Sequence, residues 1–278
     1  MELALVSGCA FLLLLTSSFI GTLARSLLNA LLADRDLPEI VSRLCEAVAF
    51  CWGLVALISW FLQQPKLKLL QQLTGIRWIS VKTCVVSVLL HVVVVLLILM
   101  AEGHVLLSWS NVETAVYRSD GSIAVADMMM DLLLAPMREE LFFRGVLVLV
   151  GMNRLQSVKW SALISSILFA AIHLVNARHL GTQYSMNYVA FQVFWALLVG
   201  LFLALEFAIS GSLVECFMLH FINNVFALGV SKTDAMDFTQ PVVYMSVLLT
   251  TTIYAAAIAR QVLHLLGRNI TVKTNKKV

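Results

Sequence analysis

Long apolar stretches separated by polar connectors recur along the whole chain. A helix needs about 20 mostly apolar residues to cross a bilayer core about 30 Å thick. Stretches of roughly that length lie at 3–23, 44–62, 83–101, 122–150, 158–175, 188–209, 212–230 and 242–266. We therefore expect an all-α fold, a polytopic transmembrane helix bundle of about eight helices.

The stretch 122–150 differs from the others because polar residues interrupt it. Asp127 and Asp131 lie in its first half, Pro136 follows, and a pair of glutamates comes next. A proline inside a helix removes one backbone hydrogen bond and tends to kink or end the helix. The sequence therefore allows either one helix here or two shorter helices that meet near Pro136.

The composition excludes an ordinary soluble domain. Hydrophobic residues make up 60% of the 278 residues, charged residues 13%, and the mean hydropathy is +0.92, whereas about a quarter of a soluble domain is charged. The net charge is only +3 and no stripe of Lys and Arg is present, so nucleic-acid binding is not expected. The five cysteines include no CxxC pair, which argues against a disulfide framework or a zinc finger. The partner that this composition predicts is the lipid bilayer.

The basic residues of the connectors predict the orientation of the chain. If all eight stretches cross the membrane once, ten basic residues lie on the side of the amino terminus: Lys66, Lys68, Arg77, Lys82, Arg154, Lys159, Arg268, Lys273, Lys276 and Lys277. Six lie on the other side: Arg25, Arg35, Arg43, Arg118, Arg178 and Lys232. Since cytosolic connectors carry the excess of Lys and Arg, both termini are predicted to lie in the cytosol.

Four charged residues lie within the segment PMREELFFR of the stretch 122–150: Arg138, Glu139, Glu140 and Arg144. Each charge at mid-membrane costs about 2.5 to 3.5 kcal/mol, so we expect these side chains to be paired or hydrated. Glu140 and Arg144 are four residues apart, in the favourable order for an ion pair on one helix face. Glu139 lies about 100° further around the helix. It is therefore free to face a cavity, where a carboxylate can act as a general base.

Two later stretches carry further polar pairs. His173 follows Phe169 by one helical turn in FAAIH, and Asn224 follows His220 by one turn in HFINN. A histidine and an amide on one helix face are hydrogen-bond donors suited to a developing oxyanion. The three groups together supply a base, an orienting ion pair and an oxyanion hole, although a Glu–Arg pair can also serve only to lock two helices together.

EELFFR, FAAIH and HFINN resemble the EExxxR, FxxxH and HxxxN motifs of the family of CAAX proteases and bacteriocin-processing enzymes. The segment ISGSLVECFMLH also resembles the G-x-L segment that leads into the third motif of that family. In the Ras-converting members further histidines follow the FxxxH histidine, whereas this chain has Leu174, Val175 and Asn176, which resembles the broader, bacterial-type branch. The resemblance implies amino-terminal transmembrane helices at 1–121, a CAAX-protease-like catalytic core at 122–230, and a transmembrane helix with a basic cytosolic tail at 231–278.

The resemblance implies an intramembrane endopeptidase with six catalytic residues. Glu139 and His173 would hold and activate a water, Glu140 with Arg144 would orient the base, and His220 and Asn224 would stabilise the tetrahedral oxyanion. Members of the family have been labelled metalloproteases. Here no cofactor is expected and zinc is disfavoured, because HExxH is absent and an asparagine is a poor zinc ligand.

The resemblance also suggests a substrate and a location. Ras-converting members remove the last three residues after a prenylated cysteine, so a prenylated protein or peptide that arrives through the lipid is the expected substrate. Arg138 and the basic connector Lys66–Lys82 are interpreted either as attractors of polybasic or carboxylate-ended substrates or as anchors at the membrane interface. Asn176 and Gln192 are candidate supporting groups. The membrane would be the endoplasmic reticulum in a eukaryote and the plasma membrane in a bacterium.

Two other functions stay open. A transporter could use the same buried charges as a proton or ion relay, although the hydrophobic pattern shows no inverted repeat. A family member that had become a non-cleaving scaffold would usually have lost a motif residue, whereas all six are present here.

Overall fold

The structure, a computed structural model, describes residues 2–31, 36–74, 112–113, 116–182, 184–228 and 241–275. Within these ranges the backbone forms helices and the turns between them, with two isolated bridges and no strand. The predicted all-α fold is therefore confirmed for this part of the chain. The predicted helix at 83–101 lies outside the described residues.

The described ranges contain eight helices, which we number in chain order. They are α1 (Glu2–Leu31), α2 (Asp36–Leu62), α3 (Lys66–Thr74), α4 (125–155, in five segments), α5 (Val158–Ile172, continued by the 3₁₀ helix His173–His179), α6 (Met186–Ser210), α7 (Leu213–Ala227) and α8 (Pro241–Asn275).

Five of the helices are long and apolar enough to cross a membrane. The qualifying spans are Glu2–Leu31, Leu37–Leu62, Val158–His179, Met186–Ser210 and Val243–Gly267. Large apolar side chains of the first span point outward, including Phe11 at 59% exposure and Phe19 at 69%. A bilayer would cover such a surface, since contiguous exposed apolar patches of this kind mark interaction with lipid or protein.

Two helices extend into regions that the sequence predicted as connectors. Helix α2 begins at Asp36 rather than near residue 44, because Pro38 falls in its first turn, where the missing backbone N–H is not needed. Helix α3 forms within the predicted connector 63–82, and it buries Leu69 and Leu73, which lie one turn apart.

Helix α4 is continuous and is not divided at Pro136. Its α-helical segments Val125–Met129 and Ala135–Glu140 flank a π-helical turn, Met130–Leu134, and a second π-helical segment, Leu141–Val150, follows. Pro136 stands at the start of the α-helical segment directly after the first π turn. The residues at the junctions keep right-handed helical dihedral angles. The alternative of two helices meeting near Pro136 is therefore wrong; the type of helix changes there instead.

The second π-helical segment of α4 forms the centre of the bundle. It lies between α2 and α5: a Cβ atom on Gly145 would come within 3.1 Å of Ile58 of α2. On the other side the hydroxyl of Ser165 in α5 donates to the carbonyl of Phe143 at 3.0 Å. These contacts fix the helix that carries Glu139 and Glu140 against two neighbours.

Candidate active site

Glu140 and Arg144 form a buried ion pair within α4. The distance from Arg144 Nε to Glu140 Oε2 is 3.0 Å, and the two residues are 0% and 1% exposed. The guanidinium carbon also lies 4.8 Å from the centre of the Phe169 ring, within the range of a cation–π contact. The ion pair expected from the spacing of the two residues is therefore present. A buried charge persists only when it is paired in this way.

His220 of α7 lies between the two glutamates of α4. Its Nδ1 is 2.8 Å from Glu140 Oε1 and its Nε2 is 3.8 Å from Glu139 Oε2. Because an ionised carboxylate only accepts hydrogen bonds, Nδ1–H donates to Glu140. The 3.8 Å distance is too long for a direct hydrogen bond. The side chain of Glu139 is 31% exposed against 2% for Glu140, so Glu139 is the carboxylate that an incoming water or substrate can reach.

Phe169 places the two imidazoles of the site. Its ring centre lies 5.1 Å from that of His173 and 5.7 Å from that of His220, both in edge-on arrangements. His173 Nδ1 lies 2.8 Å from the Phe169 carbonyl oxygen, which only accepts, so this nitrogen carries the proton and Nε2 keeps its lone pair. His173 is thus oriented to accept a proton or a hydrogen bond at Nε2.

Gly200 of α6 leaves the space that the Phe169 ring occupies. A Cβ atom on Gly200 would lie 3.1 Å from the Phe169 ring and 3.3 Å from the backbone of Ser166. Neither Gly200 nor Phe169 was predicted to shape the site. Membership of the FxxxH motif could have indicated a role for Phe169. A glycine within an apolar helix, by contrast, indicates no role by itself.

Asn224 lies one turn beyond His220 on α7, as the spacing predicted. Its Nδ2 donates to the backbone carbonyl of Asp131 at 3.0 Å, in the first π-helical turn of α4. The amide therefore ties α7 to α4. His220 and Asn224 each have a protein partner, and their predicted role as an oxyanion hole stays a prediction.

Tyr184 lies in the turn between α5 and α6. Burial raises the pKa of Tyr184, the nearby Asp131 carboxylate raises it further, and Arg178 opposes the increase. The Tyr184 ring stacks on Tyr188 at 5.4 Å between centres.

Arg138 forms an ion pair with Glu46 of α2. Its Nη1 lies 3.0 Å from Oε1 of Glu46, with the two side chains 12% and 17% exposed, and its guanidinium packs over Phe50. The two interpretations of Arg138 from the sequence, as an attractor of substrates or as an interface anchor, stay predictions. The sequence held no local signal for this pair, because 92 residues separate positions 46 and 138.

Asn176 and Gln192 contact each other rather than the two glutamates. Asn176 Nδ2 donates to Gln192 Oε1 at 2.8 Å. This bond joins the 3₁₀ helix that follows His173 to α6 and so supports the position of His173 indirectly.

The described residues contain no group of three or more His, Cys, Asp and Glu side chains arranged to hold a metal ion. Asn224 completes the set around His220 and the glutamates, and an amide is a poor ligand for zinc. We therefore derive no step through a metal ion.

Residues 121–226 match the family model of the Rce1-like type II CAAX prenyl endopeptidases. All six predicted site residues lie within this match, so this segment of the chain is similar to an Rce1-like domain. No curated protein and no solved structure matches the chain. Together with the five long apolar helices, the match indicates an integral membrane protein whose residues 121–226 are similar to a prenyl endopeptidase domain.

Proposed function

We propose that this protein is an intramembrane endopeptidase that hydrolyses a peptide bond with a water activated by Glu139. The observation that carries the proposal is the position of His220, which contacts buried Glu140 on one side and faces half-exposed Glu139 on the other. A purely structural ion pair would need only Glu140 and Arg144. An ion pair alone does not account for the second glutamate or for the two histidines that pack against Phe169.

In the proposed reaction Glu139 takes a proton from a water held between its carboxylate and His173 Nε2. The resulting hydroxide adds to the scissile carbonyl carbon, and the negative charge develops on the carbonyl oxygen. Asn224 and His220 are the donors available to that oxygen. His220 can donate from Nε2 only as an imidazolium, since its Nδ1–H already donates to Glu140. The proton held by Glu139 then moves to the leaving amine as the C–N bond breaks.

The substrate that we propose is a membrane-bound peptide or protein, with prenylated CAAX proteins as the first candidates. A lipid-modified chain would enter laterally from the bilayer and bring its peptide to Glu139. The family model supports this class of substrate through its description as a prenyl endopeptidase. The membrane would be the endoplasmic reticulum in a eukaryotic cell and the plasma membrane in a bacterium.

The test uses the full-length protein in lipid nanodiscs and a farnesylated CAAX peptide beside its unmodified counterpart, with products identified by mass spectrometry. We expect cleavage by the wild type and a loss of about 10²-fold or more in Glu139→Gln, which keeps the shape of the side chain but removes the proton acceptor. Glu2→Gln is the matched control, because Glu2 is a carboxylate paired with Arg154 at the far end of α4. Activity should also survive dialysis against a strong chelator.

Full activity in Glu139→Gln would contradict the assignment of the base. Loss of activity on chelation, with recovery on addition of stoichiometric zinc, would contradict the metal-free reaction. Absence of cleavage in the wild type would favour a scaffold or an ion-coupled function for the buried charges.

A further inference from the structure

Glu46 of α2 and Arg138 of α4 form an ion pair between two helices, and both side chains are largely buried. The distance from Arg138 Nη1 to Glu46 Oε1 is 3.0 Å, and the two side chains are 12% and 17% exposed. Phe50 follows Glu46 by one turn of α2, and its ring centre lies 5.3 Å from the guanidinium carbon of Arg138. Helix α2 therefore contacts the guanidinium at two points, through a carboxylate and through an aromatic ring.

Helix α1 fixes the position of Glu46 from its other side. A Cβ atom on Gly21 of α1 would lie 3.0 Å from Glu46 Cβ and 3.1 Å from the backbone oxygen of Ser42, so the absence of a side chain at Gly21 allows the two helices to approach this closely. The hydroxyl of Ser42, one turn before Glu46, donates to the carbonyl of Gly21 at 2.7 Å. Glu46 is therefore part of a closely packed pair of helices, and its carboxylate is a fixed point for α4.

Arg138 lies in a segment of α4 whose rotation the backbone alone does not determine. The α-helical segment Ala135–Glu140 lies between the π-helical segments Met130–Leu134 and Leu141–Val150. A π-helical hydrogen bond spans one residue more than an α-helical one. Moving a π turn along the helix therefore rotates the residues next to it by about 100°, the angle between neighbouring residues. The backbone can satisfy its hydrogen bonds in either register, so side-chain contacts must select between them.

The contact of His220 with α4 does not select the register by itself. His220 Nδ1 lies 2.8 Å from Glu140 Oε1 and its Nε2 lies 3.8 Å from Glu139 Oε2, so both carboxylates lie near the same imidazole. Arg138 and Glu140 are two residues apart, so they point about 200° apart around the helix. When Arg138 faces Glu46, Glu140 therefore faces away from α2 and Glu139 points between the two directions.

We propose that Glu46 is a positioning residue for the reaction: through Arg138 it fixes the rotation of α4 that makes Glu139 the accessible carboxylate. This inference rests on the proposed peptidase function and adds a residue that lies outside the match to the family model. A buried ion pair gives little net stability relative to apolar side chains of similar size, and its best-attested use is to select one register of packed elements. The pair between α2 and α4 has the position that this use requires.

The experiment removes both charges of the pair together, in Glu46→Leu/Arg138→Met, because a single substitution would leave the other charge unpaired. This double variant should melt at the wild-type temperature or above it, since apolar side chains of similar volume often replace a buried pair without loss of stability. In nanodiscs its kcat on the farnesylated CAAX peptide should fall about tenfold or more with a KM near that of the wild type, because misplacing a catalytic group slows the reaction step. Arg138→Lys should keep most of the kcat, since the ammonium can still pair with Glu46.

A labelling measurement tests the rotation of α4 without any substrate. Glu139→Cys places a thiol where the wild-type side chain is 31% exposed, so a water-soluble maleimide should modify it. The labelling rate at this position should fall several-fold when Glu139→Cys is combined with Glu46→Leu/Arg138→Met, because the segment no longer keeps one rotation. Mass spectrometry of proteolytic fragments separates the label at position 139 from labels on the five native cysteines.

Glu2→Gln/Arg154→Gln is the matched control, because Glu2 and Arg154 form another ion pair between an amino-terminal helix and α4, beyond the second π-helical segment. This control should keep the wild-type kcat and the wild-type labelling rate at position 139.

Three results with Glu46→Leu/Arg138→Met would overturn the inference and leave the peptidase function standing. They are a wild-type kcat, a raised KM with an unchanged kcat, which would mean that Arg138 contacts the substrate, and an unchanged labelling rate at position 139. If the wild type cleaved no peptide while the labelling rate still depended on the pair, the proposed function would fail and the control of Glu139 by Glu46 would stand.

Discussion

Glu139 and Glu140 are neighbours in the chain but have different surroundings. Glu140 contacts Arg144 and His220 and is shielded from solvent, whereas Glu139 is partly exposed and has no direct hydrogen bond to His220. Adjacent helical residues differ by about 100° in direction, so one turn of α4 can hold both a fixed structural charge and an accessible one. The roles that we propose for the two carboxylates rest on this difference.

Replacing each glutamate by glutamine should separate the two roles. Glu140→Gln leaves Arg144 buried without a counterion, which typically costs about 3 to 5 kcal/mol, so this variant should lose both activity and thermal stability. Glu139→Gln should be as stable as the wild type and inactive. The measurement is a thermal melt in detergent beside the peptidase assay, and equal melting temperatures for the two variants would contradict the assigned roles.

The residue contacts divide into those that spacing predicts and those that it does not. The Glu140–Arg144 pair follows from a separation of four residues within one helix. The contact of Arg138 with Glu46 and that of His220 with Glu140 join residues far apart in the chain. Such contacts depend on how helices pack. The sequence therefore predicted the contact within one helix but not the contacts between helices.

Helices α5 and α6 meet at Phe169 and Gly200, and this contact positions the site. The phenyl ring occupies the space that a side chain on Gly200 would take, and its edge reaches both imidazoles. The interface between two apolar helices thus determines the geometry of the polar groups.

Gly200→Ala should disturb the site without removing any catalytic group. The added methyl group would lie 3.1 Å from the Phe169 ring, and overpacking of this kind typically costs about 1 to 3 kcal/mol. We expect cleavage to fall about tenfold as the two histidines shift. The control is Gly8→Ala in α1, where a Cβ atom would meet nothing within 4 Å. Wild-type activity in Gly200→Ala would show that Phe169 does not hold the imidazoles.

The helices themselves were largely predictable, because long apolar stretches have few alternatives in a bilayer. The ends of the helices were less predictable. Helix α2 begins in a polar segment whose proline fits a first helical turn, and α3 forms among lysines and glutamines. The π-helical segments of α4 could not be predicted, since they change the hydrogen-bonding pattern without changing the apolar pattern. They lie on both sides of the Glu139–Glu140 pair.

At the scale of the whole molecule, the amino-terminal helices are joined to α4, the helix that carries Glu139 and Glu140. The residues that match the family model begin at 121, yet Glu46 of α2 pairs with Arg138, the residue before Glu139. The hydroxyl of Ser42 in α2 also donates to the carbonyl of Gly21 in α1 at 2.7 Å. The helices before the matched region therefore form part of the structure that supports the site.

The orientation of the molecule gives the last prediction. The span Val243–Gly267 is followed by Arg268, Lys273, Lys276 and Lys277, and basic residues next to a span favour the cytosolic side. A glycosylation reporter fused about 20 residues beyond Val278 should therefore stay unmodified in a eukaryotic cell. The same reporter fused after residue 240, before the span, should be glycosylated. The readout is a glycosidase-sensitive change in mass. The reverse pattern would place the carboxyl terminus in the lumen and contradict the arrangement with both termini in the cytosol.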